Sequence, residues 1–311
     1  MLNLERLRVL QAVERHGSVT AAAAELHVTT SAVSQQLAKL ERESGTTLVE
    51  RSGRGIRLTD AAHLLAGHAS AILSMAELAQ ADVDARTGAV AGRLVLASLP
   101  TATRGLAAPA LKQLAETHPA LHVELTEADP DESIPALAQG AADLVIAHDW
   151  SNAPLATPSG LARTMLAEDL VDVAVPAAHP LAGQAAESEG RAVQLAQLGG
   201  EPWICGTPGT SCRDWLTFTL RAAGIEPRFG HIASEYATQL CLVAAGLGVA
   251  VIPRLGRDQV PAGVRVIAVE PALCRRIYAL WRTTAARRPA ITATVAALRA
   301  AATRPGEPAS D

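Results

Sequence analysis

Residues 17–62 read GSVTAAAAELHVTTSAVSQQLAKLERESGTTLVERSGRGIRLTDAA, and their spacing decides the first domain. Gly17 stops a preceding helix whose apolar stripe is Leu4, Leu7, Leu10 and Val13. The Ser18 hydroxyl can accept from a free backbone N–H and cap a short helix from Ala21 to Leu26. A third helix is predicted from about Thr30 to Glu43, ending before Gly45. Val33, Leu37 and Leu40 share one of its faces; Ser31, Gln35, Ala38 and Arg42 lie opposite, flanked by Ser34 and Lys39. A face of hydroxyls, an amide and cations, with no carboxylate at its centre, suits DNA. Gln pairs bidentately with adenine, and Lys or Arg meets phosphate. The small Ala21–Ala24 run lets the preceding helix approach closely. LVERSGRGIRLT (48–59) suits a β-hairpin carrying Arg51, Arg54 and Arg57 as a wing. The same pattern also fits a three-helix cap whose polar face meets only water.

Downstream, Thr59 can cap a long helix from Asp60 to about Arg86, closed by Gly88. At 1.5 Å per residue it is roughly 40 Å long. Ala61, Leu65, His68, Ile72, Met75 and Ala79 follow a 4-3-4-3-4 spacing, a narrow seam for a partner helix.

From Gly92 the pattern becomes β-α. RLVLAS, LHVELTEA and ADLVIAH alternate with helical stretches; LVDVAVP, PWICG, GVAVIP, VRVIAV and RIYALW follow, then an Ala-rich helix from about Ala290. Strands this apolar are covered on both faces, which predicts a parallel or mixed sheet between helices. Two α/β lobes are expected, with crossings near 161–166 and 261–268.

Composition agrees. A chain of 311 residues predicts about two domains. With 49% hydrophobic but only 3% aromatic residues, Ala, Val and Leu must fill the cores. The longest apolar run, Leu242 to Ile252, is too short for a bilayer, and Glu5, Arg6 and Arg8 interrupt any secretory leader. Cys205, Cys212, Cys241 and Cys274 lack CxxC spacing, so a soluble, reduced, cytoplasmic protein is expected. Residues 1–60 carry eight basic and seven acidic side chains, while the remainder has a balance of −5, so the amino-terminal part need not repel an anionic polymer. Gly246–Gly248 lacks a dinucleotide-loop context, and His63 and His68 are five apart, off helical metal-ligand spacing. No GxSxG-type motif occurs. No enzyme activity, catalytic residue, metal or cofactor is expected.

The 17–62 segment resembles the winged helix-turn-helix of LysR-type transcriptional regulators, and HPALHVEL, ADLVIA, AHPLAG, PWI and LVAAGLGVAVIP resemble that family's effector domain. Departures are Ser31 where the family often has Pro, Val49 for Phe, and Ala62 for Gly. The resemblance implies a mainly α winged helix-turn-helix at 1–59, a linker and dimerisation helix at 60–88, and a two-lobed periplasmic-binding-protein-like α/β domain at 89–302. Lobe I then comprises about 89–163 and 266–302, lobe II about 164–265, with a disordered tail at 303–311.

It implies a homodimer, or homotetramer, in which Leu65, His68, Ile72 and Met75 pair between subunits on double-stranded promoter DNA, with RNA polymerase a further partner and no membrane. Thr29, Thr30, Ser31, Ser34 and Gln35 would read the major groove, while Lys39, Arg51 and Arg54 would hold phosphates. A small-molecule effector, such as a carboxylate or amino-acid-like metabolite, would lie between the lobes. Its expected contacts are Ser98, Thr101, Thr103, His148, Asp149, Thr207, Thr210, Ser211 and Glu235; strand ends feeding helix starts favour anions there. Asp129, Asp131 and Glu132 either receive a cationic group or form a solvated loop. Two alternatives stand: a thiol-based redox sensor using Cys205 and Cys212, or a cytoplasmic solute-binding protein or enzyme with an accessory helical domain.

Overall fold

The computed structural model describes residues 1–26, 28–52, 55–187, 192–257 and 259–303. The chain separates into two compact units, Met1–Gly88 and Ala89–Asp311.

The first unit contains α1 (Leu4–His16), α2 (Val19–Glu25), α3 (Thr30–Ser44), the hairpin β1 (Val49–Ser52) and β2 (Gly55–Leu58), and α4 (Asp60–Thr87). Side chains capping the first turns explain where its helices begin: Asn3 accepts from Glu5 and Arg6, Ser18 from Ala21, Thr29 from Ala32 and Thr59 from Ala62. Gly45, at φ 69°, takes the left-handed conformation that ends α3. One core joins Leu7, Leu10 and Val13 to Ala22, Ala23, Val33, Leu37, Leu40, Leu48, Ala62, Ala66 and Ala69. Glu41 Oε1 ties α3 to the hairpin by accepting from the Leu48 and Val49 N–H groups at 2.8 and 3.1 Å. The hairpin pairs Val49 with Leu58 and Arg51 with Ile56.

The second unit runs β3 (Gly92–Ser98), α5 (Pro100–Ala102), a π-helical turn (Thr103–Ala107), α6 (Ala108–Thr117), β4 (Leu121–Glu127), α7 (Pro130–Ala138), β5 (Leu144–Trp150) and β6 (Leu161–Pro176). It continues through α8 (Pro180–Glu187), β7 (Val193–Gln194), β8 (Pro202–Cys205), α9 (Ser211–Ala222), β9 (Arg228–Ile232), α10 (Tyr236–Ala244) and β10 (Ala250–Pro253). It closes with β11 (Val264–Ile267), β12 (Val269–Glu270), β13 (Leu273–Arg282) and α11 (Pro289–Thr303). The main sheet has the order β10-β6-β13-β5-β3-β4, with β11 also on β6. It is mixed: β3 is parallel to β4 and β5, whereas β13 is antiparallel to β5 and β6.

Two main cores sit at opposite ends of this sheet. Leu94, Leu96, Leu144, Ile146, Ile277, Ala279 and Leu298 share one; Val173, Val175, Trp203, Trp215, Leu220, Val251 and Leu273 share the other. The first crossing is made by the unbroken β6. The second lies within β13, between Leu273 and Ile277, and not near 261–268, because Ile267 and Val269 still pack in the Trp203 core. The physical reason is that β13 pairs antiparallel with β6 from Leu273↔Val171 to Arg282↔Leu161, so the chain returns along the strand on which it left. Among the described residues no helix is long and apolar enough to cross a membrane. The expected tail beyond residue 303 lies outside the described residues.

Candidate nucleic-acid interface and effector cleft

On α3, Thr30, Ser31, Ser34, Gln35, Ala38, Lys39 and Arg42 are exposed, and Val33, Leu37 and Leu40 are buried. The helix carries two acidic residues besides its polar face, and both are engaged elsewhere. Glu41 holds the hairpin backbone, and Glu43 pairs with Arg6 of α1, which also donates to Gln36 at 3.1 Å. Burial opposes ionisation of Glu43, but hydrogen bonds from Arg6 and the Asn3 N–H hold it below the usual carboxylate range. Lys39 and Arg42 therefore stand on a face without a compensating carboxylate. Thr29 Oγ1 accepts from the Ala32 N–H at 3.1 Å, and Ser34 Oγ donates to the Thr30 carbonyl at 3.0 Å. Among the described residues, the Gln35 and Lys39 side chains make no hydrogen bond or ion pair. Arg57 pairs with Glu50 on the hairpin at 2.8 Å. Arg51 lies on β1; its side chain, and Arg54 entirely, fall outside the described residues.

The α4 seam is shifted from its expected course. Leu65 packs partly into the unit's own core beside Ala62, Ala66 and Ala69. The outward row is Leu64 (67% exposed), His68, Ile72, Met75 (65%) and Val83 (58%). The strict heptad count put Leu65 outside; packing against α1 turns it inward and leaves Leu64 in its place.

In the second unit, the expected effector residues divide by environment. Thr101 is buried, and its Oγ1 accepts from Arg275 Nη2 at 2.7 Å. Ser98 is buried and donates to the Leu99 carbonyl. Thr103 Oγ1 and His148 Nδ1 are buried without a protein partner. Burial, followed by the Arg275 charge, pushes His148 down to about 3, so its imidazole is neutral at ordinary pH.

Asp149 does not share this environment. Successive strand residues face opposite sides of a sheet, and the Asp149 carboxylate accepts from Arg276 at 2.9 and 3.1 Å and from the Leu155 N–H at 2.9 Å. Arg163 adds a contact at 3.6 Å. Its oxygens are occupied by the fold, which corrects the expectation that it faces a ligand beside His148.

Thr210 Oγ1 donates to the Thr207 carbonyl at 2.8 Å, and Ser211 is exposed at the start of α9. Glu235 caps α10, accepting from the Thr238 N–H at 2.7 Å. Burial opposes its ionisation, but the Ala237 and Thr238 amides, helped by Arg104 of the π turn, lower its pKa. Asp129 is pushed up, first by burial and then by Glu132 and Asp131. The thiols of Cys205 and Cys212 are neighbours: the Cys212 thiol lowers Cys205, while Cys205 and burial raise Cys212.

Sequence reading missed the groups that knit this region together. Arg275 Nε donates to Asp169 Oδ2 at 2.7 Å, and Asp169 Oδ1 accepts from the Leu255 N–H at 2.8 Å. Asp172 receives Arg254 and Arg257, each at 2.8 Å. The signal was present in CRRIYALW: arginines in a strand too apolar to be exposed must find carboxylates. A glycine at 256, with φ 60°, lets the segment after β10 meet α5, since a Cβ there would lie 2.0 Å from the Thr101 carbonyl oxygen. Among the described residues no cluster of His, Cys, Asp and Glu could hold a metal ion.

Residues 87–303 match the family model of the LysR substrate binding domain, and residues 4–63 match that of the bacterial regulatory helix-turn-helix protein, lysR family. The chain belongs to the LysR family. It is a transcriptional regulator with a DNA-binding helix-turn-helix and an effector-binding domain; regulators of this family bind promoter DNA and an effector, and form oligomers. It is 31% identical over 249 residues, 80% of this chain and 76% of the relative, to a "Probable hydrogen peroxide-inducible genes activator" of Mycobacterium avium. It shares its fold with a full-length OxyR of Pseudomonas aeruginosa at TM-score 0.67 and 21% identity, covering 96% and 98% of the two chains. Full-length CbnR complexed with its target DNA matches at TM-score 0.55 and 22% identity, over 96% of this chain and all of that one.

Proposed function

We propose that this LysR-type regulator reads promoter DNA with the outward face of α3. Gln35, Ser31, Ser34 and Thr30 meet base edges, and Lys39, Arg51 and Arg54 meet phosphates. Thr29 accepts a backbone N–H as cap and keeps its hydroxyl proton for a phosphate. The observation carrying this reading is the withdrawal of Glu41 and Glu43 into the fold, which leaves Lys39 and Arg42 uncompensated beside a free Gln35. CbnR, of the same fold, is a DNA complex. Two copies pair through Leu64, His68, Ile72 and Met75 of α4, with Leu65 contributing from its inner edge, and occupy two half-sites of an interrupted palindrome. A tetramer and contact with RNA polymerase complete the assembly.

A small molecule binds where the crossing strands meet α5, the π turn, the loop before α9 and the start of α10. Ser98, Thr101, Thr103 and His148, together with Thr207, Thr210, Ser211 and Glu235, contact it. It acts by binding one arrangement of the regulator better than another. The test is salt dependence: Lys39→Ala and Arg51→Ala each lower the slope of log affinity against log salt by about 0.9 for a lost phosphate contact. Wild-type slopes in both variants refute the phosphate assignment.

A second reading is favoured by the neighbouring thiols of Cys205 and Cys212, each of which shifts the other's ionisation. A hydroperoxide oxidises Cys205 to the sulfenic acid, releasing water or alcohol; Cys212 then displaces a second water to form a disulfide. Thiol titration of peroxide-treated protein tests it: loss of two thiols, abolished by Cys212→Ser, supports it.

A further inference from the structure

Of the 27 basic residues in this chain only Lys39 and Lys112 are lysines; every other one is arginine. The distinction is chemical. A lysine amine becomes a nucleophile on losing a proton, whereas a guanidinium stays protonated and unreactive. Both lysines are exposed, and neither side chain makes a hydrogen bond or ion pair among the described residues. One stands on the outward face of α3 and the other on α6, and their helical neighbours carry opposite charge.

Residues three or four apart on a helix are neighbours, with Cβ atoms about 5–6 Å apart. Beside Lys39 stand Gln35, Gln36 and Arg42, while Glu43, also one turn away, is paired with Arg6. Arg42 is exposed, and its Nε donates to the Ala38 carbonyl at 3.3 Å, which holds the guanidinium against the turn that carries Lys39. Its two Nη groups have no partner among the described residues and supply forked donors that match phosphate geometry. Beside Lys112 the corresponding positions are Ala108, Pro109, Ala115 and Glu116, so its charged neighbour is an exposed carboxylate that repels an anionic reagent.

We infer that Lys39 is an acylation site whose acyl donor is an acyl phosphate, with Arg42 holding the donor's phosphate one turn away. The Lys39 ammonium gives a proton to water, and its nitrogen lone pair attacks the acyl carbon. The C–N bond of an amide forms, the C–O bond to phosphate breaks with its electron pair on oxygen, and a second proton leaves with the inorganic phosphate. The product side chain is neutral, so Lys39 loses the charge that would meet DNA phosphate. This consequence rests on the phosphate contact proposed for Lys39 above; the acylation itself does not. Operator affinity then falls as the supply of activated acyl groups rises, independently of the small molecule taken by the second unit.

The full-length protein is incubated with acetyl phosphate, or with acetic anhydride as a donor without phosphate, and acetylation of each lysine is followed by peptide mass spectrometry. Acetyl phosphate modifies Lys39 several-fold faster than Lys112, and acetic anhydride does not reproduce that preference. Arg42→Gln brings the two rates with acetyl phosphate together. Retardation of the protein's own promoter, measured on the same samples, shows affinity falling several-fold. The slope of log affinity against log salt drops by about 0.9, as for one lost phosphate contact. Lys39→Arg, which cannot be acylated at that position, has the same affinity before and after treatment, and Lys112→Arg responds as wild type does. The inference is overturned if Lys112 reacts with acetyl phosphate as fast as Lys39, if acetic anhydride gives the same preference, or if Arg42→Gln keeps it. Preferential acetylation of Lys39 with affinity and slope unchanged would instead withdraw Lys39 from the phosphate contact and leave the acylation site in place.

Discussion

Arg275 and Asp169, 106 residues apart in the chain, form a buried ion pair at 2.7 Å between the two strands that cross from one core to the other. Two charges removed from water are tolerated only when each is fully paired. Asp169→Asn or Arg275→Met alone leaves one charge without its partner and is expected to cost roughly 3–5 kcal/mol. The double variant Asp169→Leu with Arg275→Met recovers much of this loss. Urea unfolding followed by far-UV circular dichroism measures both effects; equal loss in single and double variants contradicts the pairing account.

His148 makes stability depend on pH in a definite direction. Its folded-state pKa, about 3, lies below the roughly 6.5 of an unfolded histidine. Between these values the unfolded chain binds a proton that the folded chain refuses, so this group destabilises the fold progressively as pH falls from about 6.5 towards 3. His148→Phe is expected to flatten that part of the stability curve. Melting temperatures across pH 4 to 7 check this, and parallel curves for wild type and variant refute it.

How much of this was legible in sequence follows from the range of the interactions. The three helices, the hairpin and the DNA-facing side of α3 were readable, because caps and a 3.6-residue period are local. The free state of Gln35 was implied by the wheel, but the withdrawal of Glu43 was not: it depends on Arg6, 37 residues earlier. The role of Asp149 was open to inference, since neighbours on a strand cannot both face a ligand, yet its partners Arg163 and Arg276 could be known only from strand pairing. Leu64 was overlooked for a different reason. A heptad count assumes a single partner, whereas α4 serves both its own core and an outward row.

That outward row predicts a change of assembly. Met75→Arg places a charge in the seam and is expected to shift the full chain from dimer or larger species to monomer at micromolar concentration. Sedimentation velocity measures it. An unchanged oligomer moves the interface away from α4.

Glu41 carries a prediction for the first unit. Glu41→Ala leaves the Leu48 and Val49 N–H groups without their acceptor and is expected to cost about 1–3 kcal/mol. Thermal unfolding of the full chain reads the loss, and a variant as stable as wild type would show that water replaces the carboxylate.

Sequence preference rests on Gln35. The most direct measurement compares wild type and Gln35→Ala on a fragment of the regulator's own promoter and on a scrambled fragment of equal length, by gel retardation at low ionic strength. Wild type should prefer the promoter, and Gln35→Ala should lose about 1–3 kcal/mol of that preference while still binding both fragments through phosphate contacts. A wild-type protein that binds the two fragments equally, or a variant with its preference intact, would contradict the assignment of α3 as the reading helix.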